Sequence, residues 1–247
     1  MLAKKKKIGK KNIKEDKLVT YYSKSLEYFE AYKNQIFIGA AAVVVVIAAI
    51  VYFGNEAQKT EVEASAALAK ASRMYQSGNY EAAIQGNTAT DTPSLEEVAD
   101  KYSGSEAGEI ARVYLANSYF YTGDYDKAIE NYEDYSGGNK LYKAAALAGI
   151  AACYEAKGEI EKAAKYFRDA AYTYENNASN SQYLLNAAVD YIKVKEYDEA
   201  KPLLENLKEN YATSEEAREA GKKGGETTSQ DREFMSEIGK KGGESSH

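Results

Sequence analysis

The sequence is poor in the residues on which most enzyme chemistry depends. Its 247 residues include one histidine, one cysteine and no tryptophan. A zinc site needs several His or Cys ligands, and a nucleophilic Ser or Cys needs a base beside it, so neither can be assembled from this inventory. Acidic residues are plentiful, but they are scattered at spacings typical of solvated helix faces. We therefore expect a protein that is not an enzyme and that holds no metal and no cofactor.

The single cysteine, Cys153, lies between Ala152 and Tyr154 in an apolar helical stretch. A small apolar residue packs well at such a position, which favours a buried thiol. An intermolecular disulfide is the alternative, and an oxidising compartment would permit it.

Proline is also scarce, because only Pro93 and Pro202 occur in the chain. The residues after position 54 are rich in Ala, Glu, Lys, Leu and Tyr, most of which favour helices. The composition therefore predicts an all-α fold.

One long apolar run, IFIGAAAVVVVIAAIVYFG, covers residues 36–54. As a helix it would be about 29 Å long, which matches the hydrocarbon core of a bilayer. A buried core segment normally shows a polar face, and a cleaved signal has a short basic region directly before its apolar stretch. Both alternatives fit poorly, so the run predicts an uncleaved transmembrane anchor over 35–54.

Charge is distributed unevenly around this run. Ten lysines and four acidic residues precede it, a net charge of +6; because the whole chain carries −6, the residues after it carry −12. Lys and Arg collect on the cytoplasmic side of a span, which predicts an inside N-terminus and an extracytoplasmic C-terminal domain. The KKKKIGKK run has no interleaved aromatics and lies near the membrane, so we expect contacts with anionic lipid and not with nucleic acid. Leu18, Tyr22, Leu26 and Phe29 share a helical face, which predicts an interfacial helix within a basic segment 1–34.

The rest of the chain contains an internal repeat. GDYDKAIENY from Gly123 recurs as GEIEKAAKYF from Gly158, as KEYDEAKPLL from Lys195 and more faintly as GNYEAAIQG from Gly78. The spacings are 35 and 37 residues, and 45 for the first unit. Small residues before and after each turn would let two antiparallel helices approach closely, while large residues would fill the space between hairpins. This pattern resembles the tetratricopeptide repeat family, which implies an α-solenoid of about four helical hairpins over 55–215.

The longer first spacing indicates an insertion after the first hairpin. NTATD at 87–91 cannot continue a helix. Thr92 is then a candidate N-cap with Pro93 at the first helical position, followed by a short helix from Leu95 to Tyr102.

A basic N-terminus, one anchor, a broken first repeat and KYSGSEAGEIARVYLANSYFYTGDYDKAI from Lys101 together resemble the membrane-anchored tetratricopeptide proteins of the YfgM type. That resemblance implies a periplasmic repeat domain whose partners are the Sec translocon, periplasmic chaperones or exported chains. Alternative roles are a scaffold for envelope or peptidoglycan assembly and, from the tail described next, a stress-protective hydrophilic protein.

The C-terminal segment 216–247 repeats GKKGGE at Gly221 and Gly239. Its glycines and lack of an apolar stripe predict disorder. The segment resembles the stress-induced KGG family, whose members are cytosolic, which conflicts with the topology above. It also occupies the place where a capping helix would follow the last hairpin.

The first helix of each hairpin is expected to line a concave groove. Counting along the motif gives weakly charged surfaces, which favour an apolar peptide or a partner helix over a carboxylate-ended peptide. The candidate protein-binding residues are Ile110, Val113, Tyr114, Asn117, Phe120, Tyr121, Gln182, Leu185 and Val189.

Overall fold

The computed structural model describes residues 17–226, with side chains described from 20 to 221. The all-α prediction is confirmed, because within these residues the regular structure is helical apart from one isolated bridge between Asn87 and Thr92. The helices in order are α1 (Lys17–Gln76), α2 (Tyr80–Gln85), α3 (Leu95–Lys101), α4 (Glu106–Thr122), α5 (Tyr125–Glu133), α6 (Lys140–Ala156), α7 (Ile160–Thr173), α8 (Asn180–Lys193), α9 (Tyr197–Asn210) and α10 (Glu215–Glu226).

The chain divides into two compact units, Met1–Glu56 and Ala57–His247. In the first unit the described residues belong to α1, so the stretch expected to be an interfacial helix and the apolar run lie in one helix. The most apolar part of α1 has a mean hydropathy of 2.9 and none of it is buried. The run is therefore not a core segment in this structure, and it is long and apolar enough to cross a membrane.

The second unit consists of helical hairpins that follow the sequence repeat. α4 pairs with α5, α6 with α7 and α8 with α9, while α2 follows the end of α1 after a three-residue turn. Alanine occurs seven residues before and five residues after each turn residue, and all eight of these alanines are 0% exposed. They are Ala71, Ala83, Ala116, Ala128, Ala151, Ala163, Ala188 and Ala200.

Each of the four turns contains a residue with left-handed backbone geometry. Three are glycines, Gly78, Gly123 and Gly158, with φ of 77°, 86° and 78°, and the fourth is Lys195 with φ of 64°. Glycine adopts this region without the steric cost that a Cβ brings. The fourth turn therefore keeps the shape of the others at an energetic cost.

The insertion after the first hairpin forms a 3₁₀ turn at Thr88–Thr90 followed by α3. The N-cap prediction is wrong by two residues: Ser94, not Thr92, caps α3. Its hydroxyl accepts from the Glu97 amide at 2.9 Å while the Glu97 carboxylate accepts from the Ser94 amide at 3.0 Å. This reciprocal pair satisfies two helix-end donors, which the Thr92 register would not allow because Leu95 would then stand where a Glu or Gln is needed.

Part of the segment expected to be disordered is helical. α10 includes the first GKKGGE copy, and Ala220 of this helix is buried in a cluster with residues of α8 and α9. Ser214 starts the packed segment by accepting from the Ala217 amide at 3.1 Å. α10 thus caps the last hairpin, while the remainder of the predicted tail, 227–247, lies outside the described residues.

Exchanging the turn residues tests this repeat geometry. A Cβ added at Gly123 would meet no atom within 4 Å, so its effect is purely conformational. Gly123→Ala should lower the free energy of unfolding by about 1 kcal/mol, and Lys195→Gly should raise it by up to about 1 kcal/mol. Thermal unfolding of the full chain in mild detergent, followed by circular dichroism, measures both. A destabilised Lys195→Gly variant would show that the fourth turn is not strained as described.

Candidate functional site

The groove residues predicted on α4 fall into three environments. Tyr121 is exposed, and four others are half-buried: Ile110, Tyr114, Asn117 and Phe120. Val113 is only 3% exposed and belongs to the core. Its assignment to an open groove is wrong, because α4 packs against α2, α3, α5 and α6 and so buries a broader stripe than a groove-facing helix would.

The residues predicted on α8 are divided in the same way. Gln182 is exposed and Val189 is half-buried, but Leu185 is 3% exposed in the core formed with α7 and α9. Leu185 is therefore also wrongly assigned to the groove. α8 packs against α7, α9 and α10, whereas α4 packs against α2, α3, α5 and α6, so the two predicted sets occupy different parts of the repeat domain.

Asn117 is committed to an internal hydrogen-bond chain. Its Nδ2 donates to the Tyr75 hydroxyl at 3.0 Å, and its Oδ1 accepts a short hydrogen bond from the Tyr132 hydroxyl. Tyr132 is 3% exposed, and its ring lies so close to Gly149 of α6 that a Cβ there would come within 2.3 Å. The amide thus links α1, α4 and α5, and both its nitrogen and its oxygen are engaged in internal hydrogen bonds.

Around Asn117, tyrosine rings form stacked pairs. Tyr75 and Tyr114 have centroids 4.7 Å apart with an interplanar angle of 7°. Tyr80 and Tyr121 stack at 4.4 Å and 16°, and Tyr75 meets Tyr80 edge-on at 5.7 Å. Tyr142 of α6 packs against the same core cluster as Tyr75 and Tyr114. Burial, together with the neighbouring Tyr114, raises the pKa of Tyr142. We call Tyr75, Tyr80, Tyr114, Tyr121 and Tyr142 the tyrosine face.

A tyrosine hydroxyl can donate or accept a hydrogen bond. Burial raises the pKa of Tyr75 above its usual value, with a smaller opposing contribution from the Asn117 hydrogen bond. Burial likewise raises the pKa of Tyr132. These phenols therefore stay protonated and uncharged.

The sequence pattern missed Tyr75, Tyr80 and Tyr132 as neighbours of Asn117. Tyr75 and Tyr80 belong to the first hairpin, whose repeat match is the faintest. A signal was nevertheless present, since GNY at Gly78 parallels GDY at Gly123 and places Tyr80 where Tyr125 stands in the next repeat.

Cys153 is fully buried and free. Burial raises the pKa of its thiol to about 12, with Lys157 opposing the shift. A thiol in this state is protonated at neutral pH and is a poor nucleophile, so the buried-thiol interpretation fits the structure.

A buried acid lies on α8, near the predicted groove residue Val189. Asp190 is 1% exposed and accepts from the Lys193 ammonium at 2.6 Å, while Lys193 also contacts the Glu155 carboxylate at 3.2 Å. The second Asp190 oxygen has no hydrogen-bond partner in the described part of the chain. Burial raises the pKa of Asp190 to about 6, against the lowering effect of Lys193.

These features define a helical repeat protein with an aromatic, uncharged surface on its early repeats. Among the residues that the structure describes, no group of three or more His, Cys, Asp or Glu is arranged to hold a metal ion.

Residues 108–176, which span α4 to α7 almost completely, match the tetratricopeptide repeat family. Repeats of this kind stack into solenoids whose concave surfaces bind other proteins, so this part of the chain is a protein-interaction scaffold. Residues 229–247, outside the described range, match the stress-induced bacterial acidophilic repeat motif. Both repeat resemblances seen in the sequence are thereby confirmed.

Comparison with curated proteins gives no match. Two crystal structures of nearly identical TPR-like repeats, described as a kinesin light chain of Podosopora anserina, are similar to 70% of this chain. One is 17% identical with 91% of its own length covered, and the other is 18% identical with 93% covered. The TM-score is 0.49 in both cases.

Replacing Asn117 tests the internal hydrogen-bond chain. Asn117→Ala leaves the buried Tyr132 hydroxyl without its acceptor, so we expect a loss of about 1–3 kcal/mol in the free energy of unfolding. Asn131→Ala is the matched control, because the Asn131 amide donates only to the Lys127 carbonyl on its own helix. Thermal unfolding of Asn117→Ala, Tyr132→Phe and the double variant gives the coupling energy between the two side chains. Equal losses of unfolding free energy in Asn117→Ala and Asn131→Ala would contradict the bridging role of Asn117.

Asp190 should make stability depend on pH. Its folded pKa lies above its ordinary 3.8, so the folded protein favours the protonated acid and loses stability as the pH rises from about 4 to 6. Asp190→Asn should therefore raise the free energy of unfolding at pH 7, by at most about 3 kcal/mol, and have little effect at pH 4. Asp198→Asn, in the exposed first turn of α9, should have a smaller effect of opposite sign. Unfolding curves of the unchanged protein and of both variants at pH 4 and pH 7 measure these effects. An equal effect of Asp190→Asn at the two pH values would refute the prediction.

Proposed function

We propose that the protein is a non-enzymatic, single-pass scaffold of a bacterial inner membrane, anchored through residues 35–54. Its N-terminus is cytoplasmic and its repeat domain is periplasmic or otherwise extracytoplasmic. The repeats bind the Sec translocon and periplasmic chaperones or exported chains. The observation that carries the proposal is an apolar stretch with no buried residue in a chain that also contains an interaction repeat.

The aromatic residues of α1 support the anchor. Tyr28 and Tyr32 lie on one side of the apolar run, Tyr52 and Phe53 lie at its other end, and all four are exposed. From Tyr32 to Tyr52 the helix rises about 30 Å, the hydrocarbon thickness of a bilayer. Tyrosine is enriched at both membrane interfaces, where its ring contacts the apolar side and its hydroxyl contacts water and headgroups.

The charge distribution supports the orientation. The +6 segment before the run resists translocation, and the −12 that follows does not. The lysines of that basic segment are also suited to anionic headgroups of the cytoplasmic leaflet, each contributing on the order of 1 kcal/mol.

The chemistry of the repeats favours binding over catalysis. The titratable groups with the largest pKa shifts, Tyr132, Cys153 and Asp190, are all buried. Tyr132 and Cys153 share the core of the early repeats, whereas Asp190 lies on α8. The exposed functional surface is instead aromatic, and tyrosine is enriched among residues that dominate protein interfaces.

A stress-protective role is a second candidate, favoured by the match of residues 229–247 to the stress-induced repeat motif. Such a role would reside in the tail and would not need the groove of the repeats.

Photo-cross-linking in intact cells tests the scaffold. A photoreactive residue is placed at position 121 or at position 172; both native tyrosines are similarly exposed, 59% and 58%, but only Tyr121 belongs to the tyrosine face. We expect adducts with Sec subunits, chaperones or exported chains from position 121 and few from position 172.

The outcomes separate the alternatives. Adducts with outer-membrane, division or peptidoglycan proteins would support the envelope scaffold and contradict the translocon role. Protease added to spheroplasts should remove the residues after 54 and spare the basic N-terminus, and the opposite pattern would overturn the topology. If deleting 227–247 abolishes stress survival while adducts persist, the tail has the protective role.

A further inference from the structure

The tyrosine face joins four helices of the repeat domain. Tyr75 comes from the end of α1, Tyr80 from α2, Tyr114 and Tyr121 from α4, and Tyr142 from α6. One ring is well exposed, Tyr121 at 59%, and the other four are half-buried. Stacking holds these rings in fixed orientations, so little side-chain entropy is lost when a ligand covers them.

The tyrosine face offers hydrogen-bond donors and flat apolar rings without charge. Within the described part of the chain, lysines lie over Tyr102, Tyr119 and Tyr154, but none lies over a ring of the tyrosine face. The nearby amide of Asn117 already has partners for both ends. A complementary ligand therefore has apolar rings or flat alkyl faces, exposed carbonyl acceptors and few N–H donors.

The spacing of Tyr114 and Tyr121 narrows the choice of ligand further. Tyr114 and Tyr121 are seven residues apart on α4, which is about 10 Å along the helix axis. In a polyproline II helix, side chains on one face recur every third residue, about 9 Å apart. Two prolines three positions apart would thus reach the Tyr114 and Tyr121 pairs together.

We propose that the tyrosine face binds a proline-rich segment in the polyproline II conformation. Proline lacks an N–H, so the carbonyls of such a segment are unpaired acceptors for the tyrosine hydroxyls, and its rings pack on the aromatic rings. The proposal rests on the proposed interaction role of the repeats and specifies the chemistry of the partner. A carboxylate-ended peptide is not suited, because it would need basic side chains at the tyrosine face.

Peptide binding to the full chain in detergent tests this inference directly. A fluorescein-labelled decaproline peptide is titrated against the protein and anisotropy is recorded, with an Ala/Ser peptide of equal length and a Lys-rich peptide as comparisons. We expect saturable binding of decaproline alone, insensitive to salt. Tyr121→Ala should weaken it about tenfold, the loss expected for one well-placed aromatic contact. Tyr121→Phe should weaken it less, because the ring remains.

Tyr172→Ala is the matched control, since Tyr172 is equally exposed but lies on α7, where its hydroxyl accepts from Asn206 at 3.2 Å. Unchanged decaproline affinity in this variant is expected, and circular dichroism verifies that both variants are folded. Equal effects of the two alanine changes, no binding of decaproline, or salt-dependent preference for the Lys-rich peptide would each overturn the proposal. If decaproline does not bind but translocon or chaperone adducts form at position 121, the polyproline inference is wrong and the proposed function is supported. If decaproline binds but those adducts do not form, the polyproline inference is supported and the proposed partners are wrong.

Discussion

The close approach of two helices within each hairpin is the constraint on which the repeat domain depends. Eight alanines, at matching positions before and after the four turns, are completely buried. A larger side chain there would push the helices apart, because the interior is packed without room for extra methylenes. The left-handed turn residue fixes the register in which the alanines meet. Stacking of hairpins follows from this local geometry repeated along the chain, as nearest-neighbour packing in a solenoid requires.

Tyrosine fills the space that alanine leaves between hairpins, and its buried hydroxyl then needs a hydrogen-bond partner. Arg168 donates to the buried Tyr191 hydroxyl at 3.1 Å, and Asn117 serves both Tyr75 and Tyr132. Buried hydroxyls with partners add specificity, whereas an unpaired one would destabilise the fold. The same residue type therefore builds the core and, where rings reach the surface in stacked pairs, forms the tyrosine face.

Hydrophobicity distinguishes the first unit, whereas aromatic packing shapes the surface of the repeats. The apolar run is long and apolar enough to cross a membrane, a property that does not depend on the fold of the second unit. The repeats in turn form a binding surface whose chemistry is uncharged and donor-rich. An interaction protein of this kind needs no catalytic cluster, and its selectivity depends on the shape and hydrogen-bond pattern of its ligand.

The helical class, the four turns and the apolar run follow from the sequence alone, because each depends on contacts between residues near one another in the chain. The glycines at 78, 123 and 158 and the flanking alanines show the repeat without any knowledge of packing. Local spacing also suggested a groove, but it could not show that Val113 and Leu185 are covered by neighbouring helices or that Asn117 is occupied. Likewise, only the tertiary structure brings Tyr75 onto Tyr114 and Tyr80 onto Tyr121, about forty residues apart in sequence. Those pairings depend on how one hairpin rotates against the next, and that rotation is set by the combined volumes of side chains from several repeats, which no single stretch of sequence contains.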